Sequence, residues 1–282
     1  MSITGINTDR DHVSFASDWQ DWHDTHEANR ADGHGFLAIS SLTFLTTEPL
    51  RLTDAPGEWS TSARGPVVEL AEGESVVIDG VEVTGRHAFG PLAERTGVDV
   101  IAGETVVELA RRGGNDIVRP RHPETPLRTA YRGTPTFAAD PSWVLDATFH
   151  PFDEPRPVTV GSVVEGLEHV YDAPGELRFR HGGQEFALTA FTGHRPGTLT
   201  VLFTDATSGV TTYAANRSLS VDLPDAAAPG DGTGTTTTFL DFNRAVNLPC
   251  AYTDFATCPL PPRENRLPFA VEAGEQTPFE RA

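Results

Sequence analysis

Residues 241–268 read DFNRAVNLPCAYTDFATCPLPPRENRLP, a stretch that gathers both cysteines of the chain, two Asn-Arg pairs and a run of prolines. Asp241 and Glu264 are carboxylates able to serve as a general base. Arg244 and Arg266 carry planar guanidinium forks suited to a carboxylate or phosphate. Asn243 and Asn265 add carboxamides that can orient a polar ligand. At the end of a strand Asp241 and Asn243 alternate, so both are expected on one face, with Phe242 and Arg244 on the other. Proline fixes φ and removes a backbone donor, so Pro249, Pro259, Pro261 and Pro262 should make this loop stiff. A stiff loop with acids and guanidiniums at both ends closes the core through buried Arg–carboxylate pairs, lines a ligand pocket or presents a surface to a partner.

Cys250 and Cys258 are spaced unlike the Cys-x-x-Cys of zinc and redox sites, and two thiols alone do not complete a tetrahedral zinc shell. A third ligand, such as His194, would have to come from elsewhere. Packed thiols, a loop-closing disulfide and a metal site remain open, as does a Cys250 nucleophile activated by Arg244 or Arg266. A second cluster, ARRGGNDIVRPRHPETPLRTAYRG, concentrates arginines in an acidic chain. Arg119 and Arg121 alternate on a strand and share a face, which makes them the best anion-binding candidates there; pairing with nearby Asp and Glu is the competing reading. The sequence holds no Gly-x-Ser-x-Gly elbow, His-Glu-x-x-His or Gly-rich phosphate loop. No cofactor is therefore expected.

The elements that must position these residues are mostly strands. VVIDGVEV places Asp79-Gly80 between two apolar runs, the signal of a tight hairpin. FRHGGQEFALT repeats the device at Gly182-Gly183, and DVIAGETVVEL and LFTDATSGVTTY supply further turns. The reading is an all-β fold, a mainly antiparallel sandwich or barrel-like assembly, with one N-terminal amphipathic helix. That helix is expected in residues 1–35, with Ser17 as N-cap, Gly33 as stop, and Phe15, Trp19, Trp22 and His26 forming a stripe that docks on a sheet. A metal site at His23, His26 and His34 is the weaker reading. Residues 36–282 form the β-rich part, with two lobes meeting near 150–160 through the Pro-rich Pro151–Pro157 segment. DLPDAAAPGDGTGTTTT reads as a flexible surface loop.

Composition narrows the partners. The formal net charge is −19 and all 21 basic residues are arginine, so the chain is acidic and lysine-free. Such a surface repels nucleic acid and anionic lipid, and neither is expected as a partner. An arginine-only complement under an acidic excess fits a salt-rich cytoplasm and a GC-rich genome equally. MSITGINTDRDHVSF has neither a basic n-region nor an apolar h-region, so no signal peptide is expected and a cytoplasmic location is the default.

The 241–268 stretch, FTDATSGVTTYAANRSL and the trailing Ala273-Gly274-Glu275 together resemble the DUF1684 family, whose function is not established. The resemblance extends back through DIVRPRHPETPLRTAYRGTPTFAADPSW to HGFLAISSLTFL, with Ala214 and Ala215 standing where glycines are expected. It implies that Asp241, Asn243, Arg244, Cys250, Cys258, Glu264, Asn265 and Arg266 are signature positions, and transfers no reaction to them. The leading expectation is a soluble protein that binds a small anionic or hydroxylated molecule. In it Arg217, Arg244 and Arg266, aided by Arg119 and Arg121, hold charge, Asn243 and Asn265 orient, and Asp241 or Glu264 acts as a base. The alternatives are a non-catalytic module with the signature as a core clasp, and a metal-dependent hydrolase using Cys250, Cys258 and a histidine.

Overall fold

The computed structural model describes residues 8–223 and 235–281, with side chains from Ser14 onward. Most of the 222–238 loop expected to be flexible lies outside the described residues. The chain divides into two compact units, one of residues 1–27, 133–252 and 258–282, the other of residues 28–132 and 253–257. The division thus falls at 27/28 and 132/133 rather than near 150–160.

The all-β expectation holds. In the unit of residues 28–132, β1 (Thr43–Phe44), β2 (Leu50–Arg51), β3 (Glu58–Ser62), β4 (Gly65–Glu69), β5 (Val76–Ile78) and β6 (Val81–Val83) are followed by β7 (Arg86–Ala88), β8 (Gly97–Ala102), β9 (Thr105–Arg112) and β10 (Asn115–Arg121). They form a sheet in the order β1-β10-β9-β8-β5-β6 and a second in the order β2-β3-β4-β7. Trp59 and Val68 from the smaller sheet pack with Val100, Val107, Leu109 and Val118 from the larger in one apolar core. The Asp79-Gly80 hairpin forms as read, both residues having positive φ, +50° and +77°. That is the requirement of a two-residue turn matched to strand twist.

The arginine cluster is paired within this unit. Arg119 on β10 lies directly opposite Glu108 on β9. Glu108 receives Arg119 at 2.6 Å, Arg112 at 3.2 Å and also Arg121. Arg111 pairs with Asp116 at 2.9 Å. Burial alone would raise the Glu108 pKa, but the charges and hydrogen bonds of Arg119 and Arg121 outweigh it and hold the carboxyl below its ordinary value.

The other unit is built on β11 (Val144–Gly161), β12 (Glu168–His181), β13 (Gln184–Thr192), β14 (Thr198–Phe203), β15 (Arg217–Asp222), β16 (Thr236–Asp241) and β17 (Val246–Asn247). They form one antiparallel sheet in the order β16-β11-β12-β13-β14-β15-β17. It curls until the Thr238 hydroxyl of β16 donates to the Asp222 carbonyl of β15 at 2.7 Å. Leu177, Leu188, Phe203, Leu219, Leu240 and Phe242 fill the concave side. The Pro151–Pro157 segment is no connector: it lies within β11, where the register with β12 shifts between Pro151 and Arg156. Among the described residues the register with β16 runs from Val144 to Phe149, and the prolines of β11, which have no N–H to give to a neighbour, all come after it.

The helix, α1, spans Thr8–Arg30. It therefore begins well before Ser17, since no glycine or proline interrupts residues 8–16, and it ends before Gly33. Its aromatic face docks as expected: Trp19 is buried, and its indole N–H donates to the Asn243 carbonyl at 2.8 Å. No helix among the described residues is long and apolar enough to cross a membrane.

Because the folded pKa of Glu108 is depressed, its stabilisation is complete above the ordinary 4.5 and is lost as pH falls through the folded value. Denaturant unfolding between pH 7 and pH 3 should show this loss in the wild type and a flatter profile in Glu108→Gln. At neutral pH that variant should be less stable by about 3–5 kcal/mol, because three guanidiniums lose their counter-charge.

Candidate functional site

The buried residue on which the 133–282 part of the fold converges is Arg217, at the start of β15, 1% exposed. One guanidinium nitrogen donates to Asp205 Oδ2 at 2.8 Å and to the Val271 carbonyl at 3.0 Å. The other donates to the carbonyls of Ala273 and Glu275. Burial pushes the Arg217 pKa down, opposed by the charges of Asp205 and Glu275. Arg217 thus joins two chain segments far apart in sequence. Asp205 Oδ1 accepts from the Thr207 N–H at 2.7 Å, the Thr207 hydroxyl at 2.6 Å and the Val271 N–H at 3.2 Å, and Thr207 in turn bonds the Thr212 hydroxyl at 2.8 Å.

Glu275 continues the network. Its Oε2 accepts from the Asn247 N–H at 2.6 Å and the Tyr252 hydroxyl at 3.4 Å, and Oε1 faces His26 Nε2 at 3.4 Å. His26 stacks on Trp22, and His23 on Trp19. Gly274 has φ +74°, and a Cβ there would lie 2.5 Å from the Ala245 carbonyl oxygen, so only glycine fits.

The two asparagines of the signature act as pieces of backbone. Asn265 Oδ1 accepts from the Thr189 N–H, while its Nδ2 donates to the carbonyls of Thr189 and Leu202, all at 2.8 Å. The pairing of β13 with β14 stops at Phe191–Thr200. Continued in register, Thr189 would face Leu202; the carboxamide fills that gap and satisfies groups that burial would otherwise leave unpaired. Asn243 does the same for Asp140, accepting from its N–H and donating to its carbonyl, both at 2.9 Å. Its second amide hydrogen goes to Asp241 at 3.0 Å, so neither asparagine keeps an amide hydrogen for a ligand.

The expected alternation at the strand end is not found: Phe242–Arg244 is a 3₁₀ turn capped by the Asp241 carboxylate, which buries both Phe242 and Asn243. Arg244 is exposed, pairs with Asp241 at 3.2 Å and lies over the Trp22 ring. Glu264 is exposed and accepts from the Thr189 hydroxyl at 3.0 Å; Arg266 is exposed. Arg217, Arg244, Arg266, Asp241 and Glu264 are therefore not brought to one place. Arg217 meets Asp205 and Glu275 instead, while Arg119 and Arg121 meet Glu108 in the other unit. Sequence reading missed Asp205 and Glu275 as partners; the required glycine before Glu275 was the available signal.

An open cleft of about 690 Å³ lies over this network, walled by residues 209–214, residues 276–281 and Pro135. Thr277 joins the walls, its N–H donating to the Thr211 carbonyl at 3.0 Å. Val210 and Phe279 stand exposed at the rim, 80% and 63%. Arg281 and the Tyr213 hydroxyl supply a cation and a donor. Both cysteines are buried, and they are not joined in a disulfide. Among the described residues no three His, Cys, Asp or Glu side chains are grouped to hold a metal ion.

A curled antiparallel sheet closed by side-chain clasps from its own C-terminal segment defines an all-β protein with no catalytic motif to name it by. The chain belongs to the DUF1684 family of proteins of unknown function, whose model matches residues 129–276 and so takes in β11–β17, Arg217 and Glu275. No curated protein matches the chain. An uncharacterized protein of Haloarcula marismortui, solved by solution NMR, is 32% identical over 55% of this chain and 83% of that one, with a TM-score of 0.44.

Chemical denaturation of Arg217→Met should show a loss of about 3–5 kcal/mol, the consequence of stranding Asp205 without its partner. Arg266→Ala, at an exposed position, should stay within about 0.5 kcal/mol of the wild type. Gly274→Ala should cost at least about 1–3 kcal/mol from its backbone conformation, plus the clash with Ala245.

Proposed function

We propose that the 133–282 part of the chain binds a small organic anion with an apolar portion in the cleft between residues 209–214 and 276–281. The observation that carries this reading is the composition of the cleft, an apolar rim above a cation and hydroxyls. Val210 and Phe279 offer exposed apolar surface, Arg281 offers a planar fork for an acid group, and Tyr213 and Thr277 offer hydroxyls. Pre-organisation supports it too. Both walls are tied to Arg217, one through Asp205, Thr207 and Thr212, the other through Val271, Ala273 and Glu275. A cleft already in its bound shape loses less entropy on binding. Arg217 then serves the ligand from beneath, by fixing the walls.

The reading of the signature as a clasp is favoured by a specific observation of its own, the pairing of the Asn243 and Asn265 carboxamides with backbone N–H and C=O groups. It concerns other atoms than the cleft, so a clasp and a ligand site are compatible in one protein.

Titration with medium-chain carboxylates, followed by NMR chemical shifts and thermal melting, is the test. Shifts should centre on Tyr213, Thr277 and Arg281, and a hundredfold excess over Kd should stabilise the fold by about 2.7 kcal/mol. Arg281→Gln should weaken binding about tenfold or more, and the corresponding alcohols should bind weakly. Shifts centred on Arg244, Glu264 and Arg266, or no saturable shifts, would overturn the assignment.

A further inference from the structure

Glu108, in the unit of residues 28–132, is outnumbered by the cations around it. Three guanidiniums, of Arg112, Arg119 and Arg121, converge on this one carboxylate: Oε1 accepts from Arg119 and Arg112, and Oε2 from Arg121. The residue directly opposite Glu108 on its other side is Asp99 of β8, which is exposed and forms no ion pair among the described residues. The cluster therefore holds two more cations than its carboxylate neutralises, in a chain whose formal net charge is −19.

The donors are under-used as well. Arg112 also donates from Nη1 to the carbonyls of Thr96 and Arg111, at 3.0 and 2.8 Å, and Arg121 from Nη1 to the His34 carbonyl at 3.3 Å. Arg119 makes no hydrogen bond among the described residues besides the one to Glu108. The Nε atoms of Arg119 and Arg121 are both buried and without a partner. An unpaired donor on a charged group taken out of water is costly, which favours any acceptor that reaches it. Arg119 and Arg121 lie two residues apart on one face of β10 and already bring Nη2 to the two oxygens of a single carboxylate, so their heads are within the span of one oxyanion. The cluster still reaches water: the side chains of Arg112, Arg119 and Arg121 are 20%, 11% and 23% exposed.

We propose that Arg112, Arg119 and Arg121 form a binding site for a doubly charged tetrahedral oxyanion, phosphate or sulfate, held chiefly by the donors of Arg119 and Arg121 that Glu108 leaves unused. A dianion supplies the two missing negative charges, and its oxygens, directed to several sides at once, suit planar guanidinium forks. A halide offers one charge and no such directions. Glu108 is then the residue that holds the guanidiniums together before the ligand arrives, so that little ordering is left for binding to do. The site lies wholly within residues 28–132 and does not depend on the cleft between residues 209–214 and 276–281.

The test is titration of the full chain with sodium phosphate and with sodium sulfate, sodium chloride keeping the ionic strength constant, followed by the arginine Nε–H NMR resonances and by thermal melting. Saturable shifts should centre on the Nε–H groups of Arg119 and Arg121, and the melting midpoint should rise along the same saturation curve. Both anions also stabilise proteins by exclusion from their surfaces, but that effect grows with concentration without saturating. Arg119→Gln should weaken both anions about tenfold or more, while Arg266→Ala, which removes an exposed cation elsewhere, should leave them unchanged. Glycerol phosphate separates the sources of the ligand: binding equal to that of phosphate extends the site to phosphate esters, and loss of binding restricts it to the free ion. The proposal is overturned if no shift saturates, if saturable shifts centre on other arginines, or if folded Arg119→Gln binds as the wild type does. The wild-type Nε–H shifts decide the question even if Arg119→Gln fails to fold, and they do so whether or not carboxylates bind in the cleft.

Discussion

A guanidinium taken out of water must be surrounded by carboxylate and carbonyl oxygens, or its desolvation is uncompensated. That requirement at Arg217 organises the 133–282 part of the fold. Four of its acceptors, Asp205 and the carbonyls of Val271, Ala273 and Glu275, come from segments separated from it by between 12 and 58 residues. Satisfying one charge thereby fixes the course of the loop after β14 and of the chain after residue 270. Gly274 follows from the same constraint, since the chain must run against the Ala245 carbonyl to deliver those oxygens.

The same fold solves a second problem with carboxamides. A strand that stops pairing leaves amide and carbonyl groups exposed to an apolar interior, and an asparagine side chain carries the same donor and acceptor as a peptide. Asn265 occupies such a gap beside β13, Asn243 pairs in the same way with Asp140 just before the Pro141–Trp143 3₁₀ turn, and in each case the arginine that follows turns outward. This accounts for the density of special residues in the signature: stiffness from proline delivers the carboxamides, and the exposed arginines are by-products of that geometry.

Local features were legible in the sequence. The Asp79-Gly80 and Gly182-Gly183 turns could be read because positive φ is a property of one or two residues, and the aromatic stripe of α1 because helical spacing is local. Arg119 and Arg121 were correctly placed on one strand face, but their partner Glu108 belongs to the neighbouring strand. The 3₁₀ turn at Phe242 broke the alternation inferred for Asp241 and Asn243, since a turn capped by its own aspartate looks in sequence like a continuing strand. Asp205 and Glu275 escaped notice as partners of Arg217 for one reason: each gains its meaning from a contact across the fold.

The walls of the cleft continue from the segments that Arg217 ties together, so the most direct measurement is hydrogen exchange in Asp205→Asn. If one buried ion pair holds both walls, the amides of residues 205–212 and 271–277 lose protection together, while the β12–β13 hairpin keeps its own. Loss confined to one segment, or unchanged protection in both, would contradict the account.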